Sequence, residues 1–358
     1  MKNKLCGFLA LALLATLSSQ FSTVFAQGSL TPPGAPAPTM RSLDQIEPRT
    51  PITNVTAGIF INTPGSYYLA TNLTSGVNVF AISVNANDVR IDLRGFTLTS
   101  AGGGSGRGIH GNSTVTNLYI YNGSLVGFSN AAIAVVSVQN AHVENVQVRN
   151  CRGGIIVGNN AHVENCQVTG PAGGGNGFGS AQGCTFTDCI EEQCTTGFSV
   201  GDNCILTRCV AFNNTGDGIN AGANAVITSC IAVSNSHGIF ALQSSRYENN
   251  TANNNSQDGI TPSSDSVVLN NICNYNTFRG INLGGPVFNT RIEGNHLGSN
   301  GLSGITIGAG ATNNIVIRNS ARRNGANTDP SNYTIVAGND VGPIGNVATN
   351  TSPWANLR

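Results

Sequence analysis

The stretch NCILTRCVAFNNTGDGINAGANAVITSCIAVSNSHGIFALQSSRYENNTANNNSQDGI, residues 203–260, repeats one phrase. Gly218-Ile219, Gly238-Ile239 and Gly259-Ile260 mark its beats, with the isoleucines 20 and 21 residues apart. Eight residues after each marker stands a core-type residue: Ile227, Tyr247 and Val268. Three further on come Cys230, Asn250 and Asn271, and five beyond those Asn235, Asn255 and Asn276. Between these two columns lie the small residues Ala232, Ala252 and Cys273. The beat extends outward on both sides. Ala81-Ile82, Gly108-Ile109, Ala132-Ile133, Gly154-Ile155, Gly177-Phe178 and Gly197-Phe198 precede it, and Gly280-Ile281 and Gly304-Ile305 follow. In the earlier repeats Cys166, Cys189 and Cys209 stand in the first Asn column, which Asn122, Val146, Asn295 and Asn319 extend.

The segments between Gly and Asn are too short and too rich in β-branched residues for helices, and they alternate with a period of two, as strands do. A unit of 20–24 residues made of short strands and turns cannot bury its own apolar face, but stacked units can, about 4.8 Å apart. Asn suits such a stack, because its amide donates to one neighbour, accepts from the other and tolerates turn geometry. On these columns the chain resembles, from about Ser66 to Asn324, the right-handed parallel β-helix proteins of the pectin-lyase-like superfamily, of the exported bacterial type. The resemblance implies an all-β solenoid of about 10–11 rungs. It implies little about activity, since that architecture hosts lyases, hydrolases, epimerases and adhesins.

The ends read differently. Lys2 and Lys4 precede an apolar run from Leu5 to Leu17, and Val24-Phe25-Ala26 follows, so residues 1–26 are expected to be a secretory signal peptide. Residues 27–57 form a Pro/Gly-rich leader, 58–325 the solenoid with its N-terminal cap, and 326–358 a C-terminal cap. Ile59 to Leu69, with Pro64-Gly65 at its centre, reads as a hairpin over the first rung. No later apolar run is long enough to span a bilayer of about 30 Å. The expected location is the periplasm or the extracellular space.

Composition narrows function. Beyond residue 26 there is no lysine, and 15 arginines against 17 acids leave a charge of −2. That excludes lysine Schiff-base chemistry and a phosphate loop ending in Gly-Lys, and it makes nucleic acid an unsuitable partner. Nine cysteines follow residue 26, in columns otherwise filled by Asn, Ala, Ser or Thr, so buried thiols are expected rather than bridges.

Two groups of residues carry candidate chemistry. Two positions before the markers run Thr196, Asp217, His237, Asp258, Arg279 and Ser303. Stacking would put Asp217 and Asp258 about 10 Å apart with His237 between them, near the upper end of inverting-glycosidase separations. Asp217, His237, Asp258 and Arg279 are thus the candidate catalytic set, as acid, base and carboxylate clamp. His237-Gly238 and Arg291-Ile292-Glu293 are superficially similar to polygalacturonase motifs. The second group is a duplication, Asn140-Ala141-His142-Val143-Glu144-Asn145 and Asn160-Ala161-His162-Val163-Glu164-Asn165. Stacked, it would gather His142, Glu144, His162 and Glu164 as ligands for a divalent transition ion, the one cofactor the residues suggest. An acidic group, Asp188, Glu191, Glu192 and Asp202, has the composition of a calcium site without its spacing. Tyr119 and Tyr121 are candidates for a sugar platform.

The leading expectation is an exported scaffold whose long face contacts an extracellular polysaccharide without catalysis. The alternatives are a polysaccharide lyase, hydrolase or epimerase acting on a uronic-acid polymer, and a periplasmic metal-binding protein.

Overall fold

The computed structural model describes residues 48–171, 174–325 and 329–358. The expected signal peptide and residues 27–47 of the leader lie outside the described residues.

One turn of the coil consists of three short strands, for example Ile205–Thr207, Val210–Phe212 and Ile219–Ala221. Each pairs in parallel with its counterpart in the next turn, Val226–Thr228, Ile231–Val233 and Ile239–Ala241. The first two faces merge into one sheet of 26 strands, and the third is a separate sheet of 13. Thirteen exceeds the ten or eleven rungs expected, because both presumed caps contribute turns of the coil. Ile59–Ile61 pairs in parallel with Ile82–Val84, and Gly65–Leu69 with Val89–Asp92, so Pro64-Gly65 is a corner between faces and not a hairpin turn. At the other end Tyr333–Ile335 pairs in parallel with Ser303–Ile307.

Most corners use the same two-residue device. The first residue takes a left-handed conformation, as at Asn249, Asn254 and Asn270 (φ 53–56°), and Asn is the L-residue for which that region is least costly. The second residue turns inward and joins a ladder. The doublets Asn249-Asn250, Asn254-Asn255 and Asn270-Asn271 therefore split two jobs between identical residues. The same rule corrects one column: Asn122 takes the left-handed position (φ 61°), and Gly123 stands opposite Val146 in the ladder column.

In the first ladder, Asn250 Nδ2 donates to Ile227 O at 2.8 Å and to Asn271 Oδ1 at 3.0 Å, and the pattern passes through Asn271 and Asn295 to Asn319. Further down, the thiols of Cys166, Cys189, Cys209 and Cys230 reach the corresponding carbonyls of the preceding turn, Val143, Val163, Phe186 and Leu206, at 3.5–3.6 Å. Cysteine thus makes the weaker version of the bond that Asn makes above it. All nine described cysteines are buried and unbridged. The second ladder climbs through Asn214, Asn235, Asn255, Asn276 and Asn300 to Asn324. Each ladder ends on an asparagine near the C-terminus: Asn319 donates to Asn356 Oδ1, Asn324 to Asn332 Oδ1, and Asn314, in the third corner, to Asn339 Oδ1.

Gly before the marker has a steric cause. A Cβ at Gly238 would lie 2.3 Å from Gly259 O and 2.8 Å from Asn255 Nδ2, so only a hydrogen fits where one turn touches the next. Glu191 stands at the foot of the second ladder, in register with Ala211, and is fully buried. Its carboxylate accepts from Cys194 N at 3.1 Å and from Asn214 Nδ2 at 2.6 Å.

Candidate functional site

On the third face the residue after each Gly points inward, and the residues two before and one after it lie on the outer side. Two outward columns result. One holds Thr196, Asp217, His237, Asp258, Arg279 and Ser303. The other, three residues later in each turn, holds Ser199, Asn220, Phe240, Thr261, Asn282 and Thr306, placed in register by the strand pairing. Between the columns lies a depression of about 380 Å³, lined by Asp217, Asn220, His237, Phe240, Asp258, Thr261 and Asn282. It follows the solenoid axis because both columns do.

The polar groups in this depression are cross-linked. Asp217 Oδ1 faces His237 Nδ1 at 3.1 Å, and Asp217 Oδ2 accepts from Asn220 Nδ2 at 2.8 Å. One turn beyond His237, Asp258 Oδ1 accepts from the Arg279 backbone N–H at 3.0 Å and lies 3.5 Å from its guanidinium, while Asp258 Oδ2 accepts from Asn282 Nδ2 at 2.7 Å. Sequence reasoning located the acidic column and brought the structure's Asp217, His237, Asp258 and Arg279 together. It missed the partner column of Asn220, Phe240, Thr261 and Asn282, although a fixed offset of three from the first column was the signal. Asn282 stands out within that column: it is 9% exposed, and its Oδ1 is buried without a hydrogen-bond partner among the described residues. A buried amide oxygen left in this state costs about 1–3 kcal/mol.

The other candidates fare unevenly. His142 and His162 stack in register on the first face, as do Glu144 and Glu164. His142 Nε2 lies 3.2 Å from Glu164 Oε1, and His162 Nε2 lies 3.4 Å from Glu164 Oε2. Glu144 does not join them. It accepts from the Tyr119 hydroxyl and from Asn145 Nδ2, which turns the four-ligand expectation into a group of three. That hydrogen bond, with burial second, pushes the Tyr119 pKa up to about 12. Tyr119 and Tyr121 stack with centroids 4.5 Å apart, but Tyr119 spends its other side on His142, also at 4.5 Å. The acidic group around Glu191 falls apart: Glu191 is in the core, Asp188 pairs with Arg208 at 2.6 Å, and Asp202 accepts from Ala223 N. Arg291 lies on the first face bonded to Glu293 at 2.7 Å, so the Arg-Ile-Glu triplet and His237-Gly238 occupy different faces.

No helix among the described residues is long and apolar enough to cross a membrane. No curated protein matches the chain by sequence. Residues 131–271 match a family model described as a right handed beta helix region. Among solved structures, the A-module of the mannuronan C-5 epimerase AlgE4 of Azotobacter vinelandii is similar at 15% identity and a TM-score of 0.52, over 82% of this chain and 91% of that one. The catalytic domain of a GH87 α-1,3-glucanase in complex with tetrasaccharides is similar at 15% identity and a TM-score of 0.51, over 87% and 70% of the two chains. From the parallel three-strand turns, the ladders and these likenesses, the chain is in fold a right-handed parallel β-helix protein.

Proposed function

We propose that the third-face depression binds an extended, hydroxyl-rich polysaccharide lying along the solenoid axis, and that the protein does so after export. The observation that carries this reading is the depression itself, which runs along two stacked columns and is lined by Asp217, Asn220, His237, Asp258, Thr261 and Asn282 together with one aromatic ring. Sugar hydroxyls suit such carboxylates and amides, and Phe240 offers an apolar surface for a pyranose face beside them. The likeness to an epimerase module and a glucanase domain supports the choice of ligand by fold analogy alone. Export rests on residues 1–26 read as a signal peptide.

A second reading, chemical conversion of the polymer, is favoured by one observation. Asp217 faces Nδ1 of His237, an arrangement that fixes the ring and presents Nε2 as a base toward the depression. Arg279, beside Asp258, would then clamp a uronate carboxylate.

The test is affinity electrophoresis of residues 27–358 on neutral and uronic-acid polysaccharides, with product assays run in parallel. Retention on at least one glycan, weakened about tenfold or more in Asn282→Ala and Phe240→Ala, is the expected result. New reducing ends, unsaturated product or an altered uronate composition, lost in His237→Ala, would establish the second reading. No retention and no product on any glycan would refute both.

A further inference from the structure

The duplicated motif on the first face is remote in sequence from the residues of the polysaccharide depression and lies on another sheet. Because the two copies pair in register, His142 lies over His162 and Glu144 over Glu164. Their imidazoles meet edge to face with centroids 4.9 Å apart, so both rings lean toward one point and do not stack flat. At that point stands the Glu164 carboxylate, with one oxygen near each Nε2. No two of the three ligand atoms, one each from His142, His162 and Glu164, are more than 4.8 Å apart.

We propose that His142, His162 and Glu164 bind a divalent transition ion of zinc type, with the remaining coordination open to solvent. Ligands about 2.0–2.1 Å from a tetrahedral ion sit about 3.3 Å from one another. The two His–Glu separations, 3.2 Å to Oε1 and 3.4 Å to Oε2 of Glu164, are each near that value. The widest separation in the group has to close by about 1.5 Å, which a modest rotation of one imidazole supplies. Two imidazoles and one carboxylate select zinc, nickel or copper(II) over calcium, which takes six to eight oxygens. Tyr119 braces the site twice: its ring packs against His142, and its hydroxyl holds Glu144 aside. Such outer contacts orient ligands and are felt in affinity. Among the described residues this is the one such group of three.

The experiment is titration of the untagged chain, residues 27–358, with zinc chloride by calorimetry, and with cobalt(II) followed by its visible spectrum. One zinc ion per chain and a tetrahedral-type cobalt spectrum are expected. His142→Ala, His162→Ala and Glu164→Gln should each weaken zinc binding at least tenfold, and Glu144→Gln less than threefold. Circular dichroism confirms that each variant is folded, and His162→Gln replaces any alanine variant that is not. The assignment is overturned if the wild type binds zinc no more tightly than the His142→Ala/His162→Ala double variant. It is also overturned if equimolar calcium displaces the zinc, or if Glu144→Gln weakens binding as much as Glu164→Gln does. None of these readouts involves a glycan, so this site and the polysaccharide reading fail separately.

Discussion

Glu191 offers the sharpest test of the packing argument, because the adjacent turns put the apolar Val168 and Ala211 where it sits. Burial drives its pKa up from an ordinary 4.5 to about 7, against the opposing pull of the Asn214 amide and the Cys194 N–H. The folded chain therefore holds a proton that the unfolded chain releases above about pH 4.5. The associated stability is complete below 4.5, erodes as pH rises toward 7, and is gone above it. At about 1.4 kcal/mol per pH unit the full swing is about 3 kcal/mol. With a urea m-value of roughly 3 kcal/mol/M, the unfolding midpoint of the wild type should fall by about 1 M between pH 4.5 and 8 through this group alone. Glu191→Gln keeps an acceptor for Cys194 N but has no proton to lose. Its curve should start close to that of the wild type near pH 4.5, decline less across the interval, and lie about 1 M above it by pH 8. Urea titrations monitored by circular dichroism at four or five pH values would decide this. Parallel curves for wild type and Glu191→Gln would refute the reasoning, since they would mean that the carboxylate is charged in the core throughout and stabilised by its two donors.

Two further outcomes follow from the ladders. Asn276→Ala removes the acceptor of Asn255 N and Nδ2 and the donor to Ala252 O, three buried groups, and should cost at least about 3 kcal/mol in urea unfolding, whereas a cost under about 1 kcal/mol would show that the ladder contributes little. The nine buried thiols should resist a thiol reagent in the native chain and react together on unfolding; prompt labelling of several in native buffer would contradict their burial.

The fold was legible because a solenoid writes its structure along the chain. Each turn repeats the same corner, so Gly238, Asn250 and Asn255 announce their roles by recurring. Legibility failed where one residue type serves two purposes. Asn122 and Asn250 look alike in a list, yet one is chosen for its backbone conformation and the other for its amide. The terminal turns escaped for different reasons: Gly58-Ile59 carries the beat but sits in a stretch read as a hairpin cap, whereas Tyr333–Ile335 pairs as a strand without it. At the candidate sites, sequence spacing correctly gathered Asp217, His237 and Asp258 because stacking is a linear property. It could not assign Glu144 to Tyr119, since that depends on which of two equivalent carboxylates a neighbouring side chain reaches first. Nor could it single out Asn282, whose significance lies in a hydrogen bond the protein does not make.

In all three ladders the backbone N–H of one turn donates to the side-chain oxygen of the next, toward the C-terminus, and the last acceptors are Asn332, Asn339 and Asn356. The coil consequently has a grammatical direction, with acceptors at one end and donors at the other. Any turn can follow any other, but none can be inverted. Removing residues 236–255 would bring Asn276 over Asn235 with every amide still facing a partner, whereas removing half as many would misalign all three columns at once. Length in such a protein is therefore counted in whole turns, and lineages can shorten or extend the solenoid by recombination between corners without redesigning either terminus.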